Sequence, residues 1–361
     1  MSIKIALAGV GNCASSLVQG IEFYRLRPEA YGLIHKEIAG YKPDDIEIVA
    51  AFDIDRRKVG KKLKEAILSK PNCTALFCED LPDFPVVTQM GPVLDGVSTH
   101  LKEHDDDYSF SVADEKPCDV VEVLRSSGAD MLINFVPVGS EKAARYYAEA
   151  CLQAKVGFIN AMPAFIVSDP LWVKRFEEEN IPAIGDDIKS QVGATIIHRV
   201  LVDLFEKRGV KLTKTYQLNF GGNTDFLNML NRDRLDSKKQ SKTNAVQAQL
   251  EIPLSPDKIH IGPSDYVPWL KDNKICYIFI EGLGFGEVPL TLELKLSVED
   301  SPNSAGVLID AICCLKVAKD RGIGGALTSI ASFAMKAPPQ QYTDSIASIL
   351  IEEFIAGKRE R

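Results

Sequence analysis

No apolar run in this sequence approaches the roughly 18 residues that a membrane span requires. No secretory signal precedes the first predicted strand, which starts at Ile3, so the chain is read as cytoplasmic. Its eight cysteines (Cys13, Cys73, Cys78, Cys118, Cys151, Cys276, Cys313 and Cys314) are scattered, and no second pair joins Cys73 and Cys78 to complete a zinc set. Reduced thiols in the cytosol are the natural reading. A concentrated basic face is also lacking: 42 Lys and Arg stand against 50 Asp and Glu, mixed along the chain, for a net charge of −8. That balance speaks against nucleic acid as a main partner, since binding a phosphate backbone needs a concentrated basic face. A small anionic substrate is not excluded, because a few local lysines can create a positive pocket in an acidic protein. No internal repeat or low-complexity tract stands out. What remains is an ordinary globular composition, 45% hydrophobic and 25% charged, over 361 residues, which suits two domains or three.

The chain starts with a buried-type strand, Ile3 to Gly9, a glycine turn, and an apolar helical stretch from Ser15 to Tyr24. A second strand, Ile46 to Phe52, ends at Asp53; Pro28, Gly32, Gly40 and Pro43 mark an insertion between the two. Residues 70–115 hold Pro71, Pro82, Pro85 and Pro92 and then Asp105-Asp106-Asp107, and they read as a long irregular excursion. Regular alternation then resumes. Helices are predicted near 117–127, 140–154, 170–179 and 191–207, with strands at 131–135, 157–160 and 181–184. That order makes an α/β fold with a Rossmann-type, doubly wound parallel sheet. Beyond it lie longer strands, 212–219, 275–281 and 290–298, the last alternating apolar and polar as a sheet with one solvated or interface face would. Helices return at 304–319 and 343–356. The expected division is a nucleotide-binding domain over 1–208, an inserted α+β catalytic and oligomerisation domain over 209–303, and C-terminal helices over 304–361 that return to the first domain.

Gly9-x-Gly11-x-x-Ala14 sits between the first strand and the first helix, where a dinucleotide fingerprint must sit. The first glycine permits the tight turn, the second admits the pyrophosphate, and Ala14 lets the helix pack closely. Asn12 and Cys13 lie within the same turn, and the helix offers its free N–H groups to the phosphates. Asp53 would accept hydrogen bonds from the ribose hydroxyls, which favours NAD, although Arg56 and Arg57 could reach a 2′-phosphate. Ligands lie beyond the carboxyl ends of parallel strands, which places the turns at Asn134–Pro137 and at Asn160 beside the cofactor. Either turn could equally be structural.

Gly185-Asp186-Asp187-Ile188-Lys189-Ser190 closes a strand and opens a helix. Its acids can cap that helix, or one can meet the cofactor. Lys189, Ser190 and the N–H groups from Gln191 onward suit a phosphate. Lys238 and Lys242 share one face if their segment is helical, an arrangement that calls for an anion or for carboxylates to answer it. Asp225 follows a glycine-rich strand end, Asp300 opens a strand-to-helix turn, and Lys336 precedes two prolines.

From Gly9 to Pro339, the stretches GVGNCASSL, AAFDID, PVGSE, GDDIKSQVGAT, GGNTDFLNML, SKKQSKT, HIGPSD, EDSPNSAG, KDRGIGG and MKAPP resemble, in order, the inositol-1-phosphate synthases of the shorter prokaryotic branch. The resemblance implies that NAD oxidises C5 of open-chain glucose 6-phosphate, that an enolate formed at C6 closes on C1, and that the hydride is then returned. Lys238, Lys242 and Lys336 are the implied acid–base and oxyanion groups. Asp187, Asp225 and Asp300 would orient them or the cofactor, and Ser190 and Lys242 would hold the phosphate. A homotetramer is implied as well. The family varies in using a monovalent or divalent cation, and no ligand cluster here decides that. Longer members carry another lysine near the segment that here reads Gly262 to Tyr266; Lys271 or Lys274 could stand in for it. Two other classes fit the nucleotide site: a plain NAD-dependent dehydrogenase and a dinucleotide sensor without chemistry. The lysine set speaks against the sensor.

Overall fold

The computed structural model describes residues 2–231 and 235–361. The chain runs β1 (Ile3–Ala8), α1 (Asn12–Leu26), β2 (Ile46–Asp53), α2 (Leu63–Leu68), β3 (Thr88–Met90), α3 (Val120–Ser127), β4 (Met131–Asn134), α4 (Glu141–Ala154), β5 (Gly157–Asn160), α5 (Pro170–Glu178) and β6 (Pro182–Ile184). It continues with α6 (Ala194–Lys207), β7 (Lys211–Gly221), α7 (Thr224–Asn228), α8 (Asp236–Gln247), β8 (Ile259–Tyr266), β9 (Asn273–Leu283) and β10 (Pro289–Glu299). The last elements are α9 (Asp300–Asp320), β11 (Gly325–Ala326), α10 (Thr328–Ala334) and α11 (Asp344–Ile355).

Seven strands form a parallel sheet in the order β11-β6-β5-β4-β1-β2-β3. Strands buried on both faces need apolar residues at successive positions, and Ile5-Ala6-Leu7-Ala8 in β1 meets that need with no exposed surface. Helices cover both faces. On one face α1 buries Ala14, Leu17, Val18 and Ile21, a helical spacing, and packs against α9. Buried on nearly every side, α9 packs against β1, β5 and β6 of this sheet as well as against α1. On the other face lie α3, α4 and α5. The order reverses at β1 and β4, which opens the crevice where such folds bind ligands.

A second, four-stranded sheet has the order β10-β9-β7-β8. β9 runs antiparallel to both neighbours, whereas β7 and β8 are parallel. Its inner face packs under α6 and α8. Its outer face carries Tyr216 stacked on Phe279 at 5.1 Å, and Tyr277 edge-on to Phe220 at 6.1 Å.

The excursion over 70–115 is less irregular than its prolines suggest, because β3 within it adds an edge strand beside β2. β8 is a further strand where the sequence analysis places none, and it lies at the sheet edge, a position that tolerates Gly262 and Pro263. All eight cysteines are free thiols. Among the described residues, no helix is long and apolar enough to cross a membrane.

Candidate active site

The glycine turn is built as the fingerprint requires. Gly9 holds φ +96°, and a Cβ there would lie 2.9 Å from the Phe135 carbonyl oxygen, so only glycine suits. Gly11 is the N-cap of α1 and makes no side-chain cap; a Cβ on it would meet nothing within 4 Å. The open space and unsatisfied helix N–H groups together form a cradle that fits a dinucleotide pyrophosphate. Asp53 ends β2 and accepts the Val10 N–H at 2.7 Å through Oδ2, with the Ile54 and Asp55 N–H groups on Oδ1. Beneath the turn, buried Lys58 donates to the Val10 carbonyl at 2.8 Å and to Asn72 at 2.8 Å. Asn12 turns to the other wall, where its Oδ1 accepts the Cys73 and Thr74 N–H groups. Pro92, Val93, Phe110 and Pro137 complete an apolar slot beside Gly9, Gly11 and Asp53. Arg56 pairs with Asp106, and Arg57 binds Asp55 at 2.5 Å and the Ser109 carbonyl at 2.7 Å. The two arginines that leave a 2′-phosphate open in the sequence are thus answered by the protein itself.

At the strand ends, Asn134 Nδ2 donates to Asn160 Oδ1 at 2.9 Å, and Asn160 Nδ2 donates to Asp186 Oδ1 at 2.7 Å. Asp186 also accepts the N–H groups of Ile166, Val167 and Ser168 and the Ser168 hydroxyl. Burial outweighs these bonds and raises its pKa to about 6. This relay ties together the ends of β4, β5 and β6. The side chains of Asn134 and Asn160 are committed to it, and Asp186 caps the 166–168 turn instead of helix α6.

Next along the chain, Asp187 takes the left-handed φ of +63°, which aspartate tolerates better than most residues. An antiparallel ladder holds it there. The Lys336 N–H donates to the Asp187 carbonyl at 2.7 Å, and Asp186 and Ala337 exchange bonds in both directions. The side chains consequently meet: Lys336 Nζ lies 2.7 Å from Asp187 Oδ1, while the Ser241 hydroxyl donates to Oδ2 at 2.7 Å.

The same pocket gathers Lys238, Lys242, Lys274 and Lys336 with Asp187, Asp225 and Asp300, one more cation than anion. Lys238 pairs with Asp225 at 2.6 Å and Lys274 with Asp300 at 3.0 Å. Burial lowers the Lys274 pKa, but Asp300 outweighs burial, so the net shift is upward and the amine stays charged. For Lys336 burial prevails over Asp187, and its pKa is lowered. Lys242, one turn after Lys238 on α8, makes no ion pair among the described residues. Burial, reinforced by Lys274, Lys238 and Lys336, holds its pKa well below the usual lysine range. Opposite stand Ser190 and the uncapped N-terminus of α6 at Gly193, Ala194 and Thr195, an anion site by geometry. Cys13, two residues beyond Gly11 of the nucleotide cradle, lines this pocket.

Lys189 and Gln191 are not brought there. Lys189 Nζ points the other way, to the Ser332 carbonyl at 2.7 Å, and the Gln191 amide donates to the Gly32 carbonyl at 2.6 Å. Of the two lysines that could stand in for the missing one, Lys274 lines the pocket and Lys271 is exposed. Its placement follows a two-residue alternation, since Lys274 shares the inward face of β9 with Cys276, Ile278 and Ile280. Gln217, buried on β7, also lines the pocket and carried no motif to mark it. Among the described residues no group of three or more His, Cys, Asp or Glu is placed to hold a metal.

A Rossmann-type sheet with a nucleotide cradle on one side of its strand ends and a lysine–carboxylate pocket on the other defines an α/β enzyme. Which one is answered by comparison. The profile of the family described as myo-inositol-1-phosphate synthase matches residues 193–301. The inositol-3-phosphate synthase of Mycolicibacterium smegmatis is 51% identical over 362 residues, 98% of either chain. That of Mycobacterium tuberculosis is 50% identical over 358 residues, covering 98% of this chain and 96% of its own. A myo-inositol-1-phosphate synthase-related protein from Thermotoga maritima shares the fold, with a TM-score of 0.81 at 24% identity and 99% coverage of both chains. The chain belongs to the myo-inositol-1-phosphate synthase family.

Proposed function

We propose that this protein converts D-glucose 6-phosphate into 1D-myo-inositol 3-phosphate with NAD as a cofactor that is used and regenerated in each turnover. The carrying observation is the convergence of three lysine–aspartate pairs and one unpaired lysine in a pocket lined by Cys13, two residues along the chain from Gly11 of the nucleotide cradle. Bound NAD would take the hydride from C5 and return it after ring closure.

The protein's own groups account for the rest. The α6 N-terminus, Ser190 and Lys242 receive the phosphate, whose negative charge supplies the counter-ion that Lys242 lacks. Lys336, its pKa lowered by burial, accepts the C5 hydroxyl proton as the hydride leaves, and Asp187 steadies the ammonium that results. Lys238, as the neutral amine held by Asp225, takes up the proton that leaves C6 and, as the ammonium so formed, delivers it to the C1 oxygen after ring closure. The C6 carbanion, delocalised as an enolate, forms the new bond to C1, and the C1 aldehyde oxygen gathers negative charge. Charged Lys274 stabilises that oxyanion until it is protonated. Each proton and the hydride return to the product, so the change is an isomerisation.

Residues 1–208 would form the NAD-binding domain, 209–303 the catalytic and oligomerisation domain, and 304–361 the return. We read the protein as cytoplasmic and as a homotetramer, with the exposed aromatic face of Tyr216, Tyr277 and Phe279 as the meeting surface of partner sheets. The deciding experiment incubates pure protein with glucose 6-phosphate and NAD and identifies the product by phosphorus NMR. An inositol phosphate without net NADH is expected. NADH accumulating in step with substrate loss would make the protein a plain dehydrogenase.

A further inference from the structure

Behind the lysine pocket lies a second buried charged cluster that the proposed chemistry leaves unused. Arg199, on α6 and with no exposed surface, spreads its guanidinium over four acceptors. Nε donates to Asp344 Oδ2 at 2.9 Å, Nη1 to the Ala245 carbonyl at 2.5 Å and to Gln341 Oε1 at 3.3 Å, and Nη2 to the Tyr342 carbonyl at 2.7 Å. Asp344 Oδ1 lies 3.4 Å from Lys189 Nζ, so two buried cations share one carboxylate. Such an arrangement is costly in a low-dielectric interior unless its hydrogen bonds are well satisfied.

The acceptors belong to the elements that carry the pocket. Ala245 is one turn beyond Ser241 and Lys242 near the end of α8, where carbonyls have no partner inside the helix. Gln341 passes the contact on, since its Nε2 donates to the Lys336 carbonyl at 2.6 Å. The Lys189 N–H donates to the Ala334 carbonyl at 2.8 Å, closing the ladder that sets Asp187 against Lys336. Arg199 itself stands on the helix whose N-terminus faces the phosphate position.

We infer that Arg199, with Asp344 and Lys189, is a positioning cluster that fixes Lys242 and Lys336 relative to the N-terminus of α6. The inference rests on the reading of those lysines as reacting groups. Only a planar fork with donors in fixed directions reaches four separate acceptors; a lysine ammonium at the same place cannot. A displacement of the pocket lysines by about 1 Å is enough to cost on the order of a hundredfold in rate.

The test compares Arg199→Lys, Gln341→Leu and, as reference, Lys336→Ala, each measured for melting temperature, NAD affinity, and kcat and KM with glucose 6-phosphate. Gln341 is only half-buried, and its variant removes the bridge from Arg199 Nη1 to the Lys336 carbonyl while leaving the Arg199 bonds to Asp344, Ala245 and Tyr342 in place. The expected result is a fall in kcat of about tenfold for Gln341→Leu and about a hundredfold for Arg199→Lys, with NAD affinity close to that of the parent in both. KM stays close to the parent value in Gln341→Leu and is raised in Arg199→Lys, where the phosphate ligands Lys242 and the α6 N-terminus are displaced as well. A role confined to stability would lower the melting temperature and the active fraction and leave kcat per folded enzyme unchanged. Near-normal kcat in Gln341→Leu or Arg199→Lys, with Lys336→Ala inactive, overturns the positioning role and leaves the site reading standing. Near-normal turnover in Lys336→Ala removes the site reading and this inference together. Should Arg199→Lys fail to fold, Gln341→Leu alone decides.

Discussion

Lys336 and Asp187 lie 149 residues apart in the chain, yet their side chains meet at 2.7 Å. Backbone, rather than the reach of a long side chain, arranges the meeting, because the 334–337 segment pairs with 186–189 before any charge is considered. The ion pair is therefore a consequence of how the C-terminal return docks on β6.

Removing that amine should separate chemistry from binding. Lys336→Ala and Lys238→Ala are each expected to lower inositol phosphate formation about a hundredfold or more. NAD affinity should change little, since neither lysine touches the glycine cradle. Stranding buried Asp187 costs roughly 3 kcal/mol or more in stability, so rates are to be compared per molecule able to bind NAD. Near-normal turnover in either variant would return that lysine to a merely structural role.

Lys242 should leave a signature in stability as well as in rate. Its folded pKa lies below the ordinary 10.5, so between the two values the unfolded chain binds more protons than the folded one. Stability from this group therefore rises as pH increases toward 10.5 and falls as the solution is made more acid. Lys242→Met should melt at a higher temperature than the parent near pH 7, with the gap closing toward pH 10, and should be inactive. Inorganic phosphate should stabilise the parent and not the variant. A variant that melts lower than the parent at pH 7 would show that the amine is satisfied in the fold.

Cofactor choice follows from Asp53 and from the engaged arginines. Titration should give NAD an advantage over NADP of about tenfold or more, some 1.4 kcal/mol. Asp106→Asn frees Arg56 and should narrow the gap. Equal affinities in the parent would refute the assignment.

Assembly is checked by sedimentation. A tetramer is expected at micromolar concentration, and Tyr277→Lys, which places a charge on the exposed aromatic face, should dissociate it. A parent that sediments only as a monomer would end the proposal.

Much of this site was legible in the sequence, and the illegible parts have physical causes. β1, the glycine turn and Asp53 follow from local pattern, because buried parallel strands and their turns have strict composition. β3 has only three residues, too few for a period to register. Lys189 misleads because the left-handed backbone at Asp187 breaks the alternation that would orient the residues after it. Lys274 was within reach once β9 was placed, whereas Gln217 gave no sign. The relay through Asn134, Asn160 and Asp186 pairs residues 26 apart at each step, and only the sheet order brings them side by side.

The dependence of the pocket on residue 336 bears on synthesis of the protein at the ribosome. Chains emerge from their N-terminus and fold domain by domain, so β1, α1 and Asp53 are available long before α9 to α11 exist. Because α1, which opens at the glycine turn, packs against α9 in one shared core, a nascent or C-terminally truncated chain lacks the cover of its nucleotide-binding sheet as well as the amine that meets Asp187. One C-terminal segment thus completes both halves of the site, and neither half is finished ahead of the other.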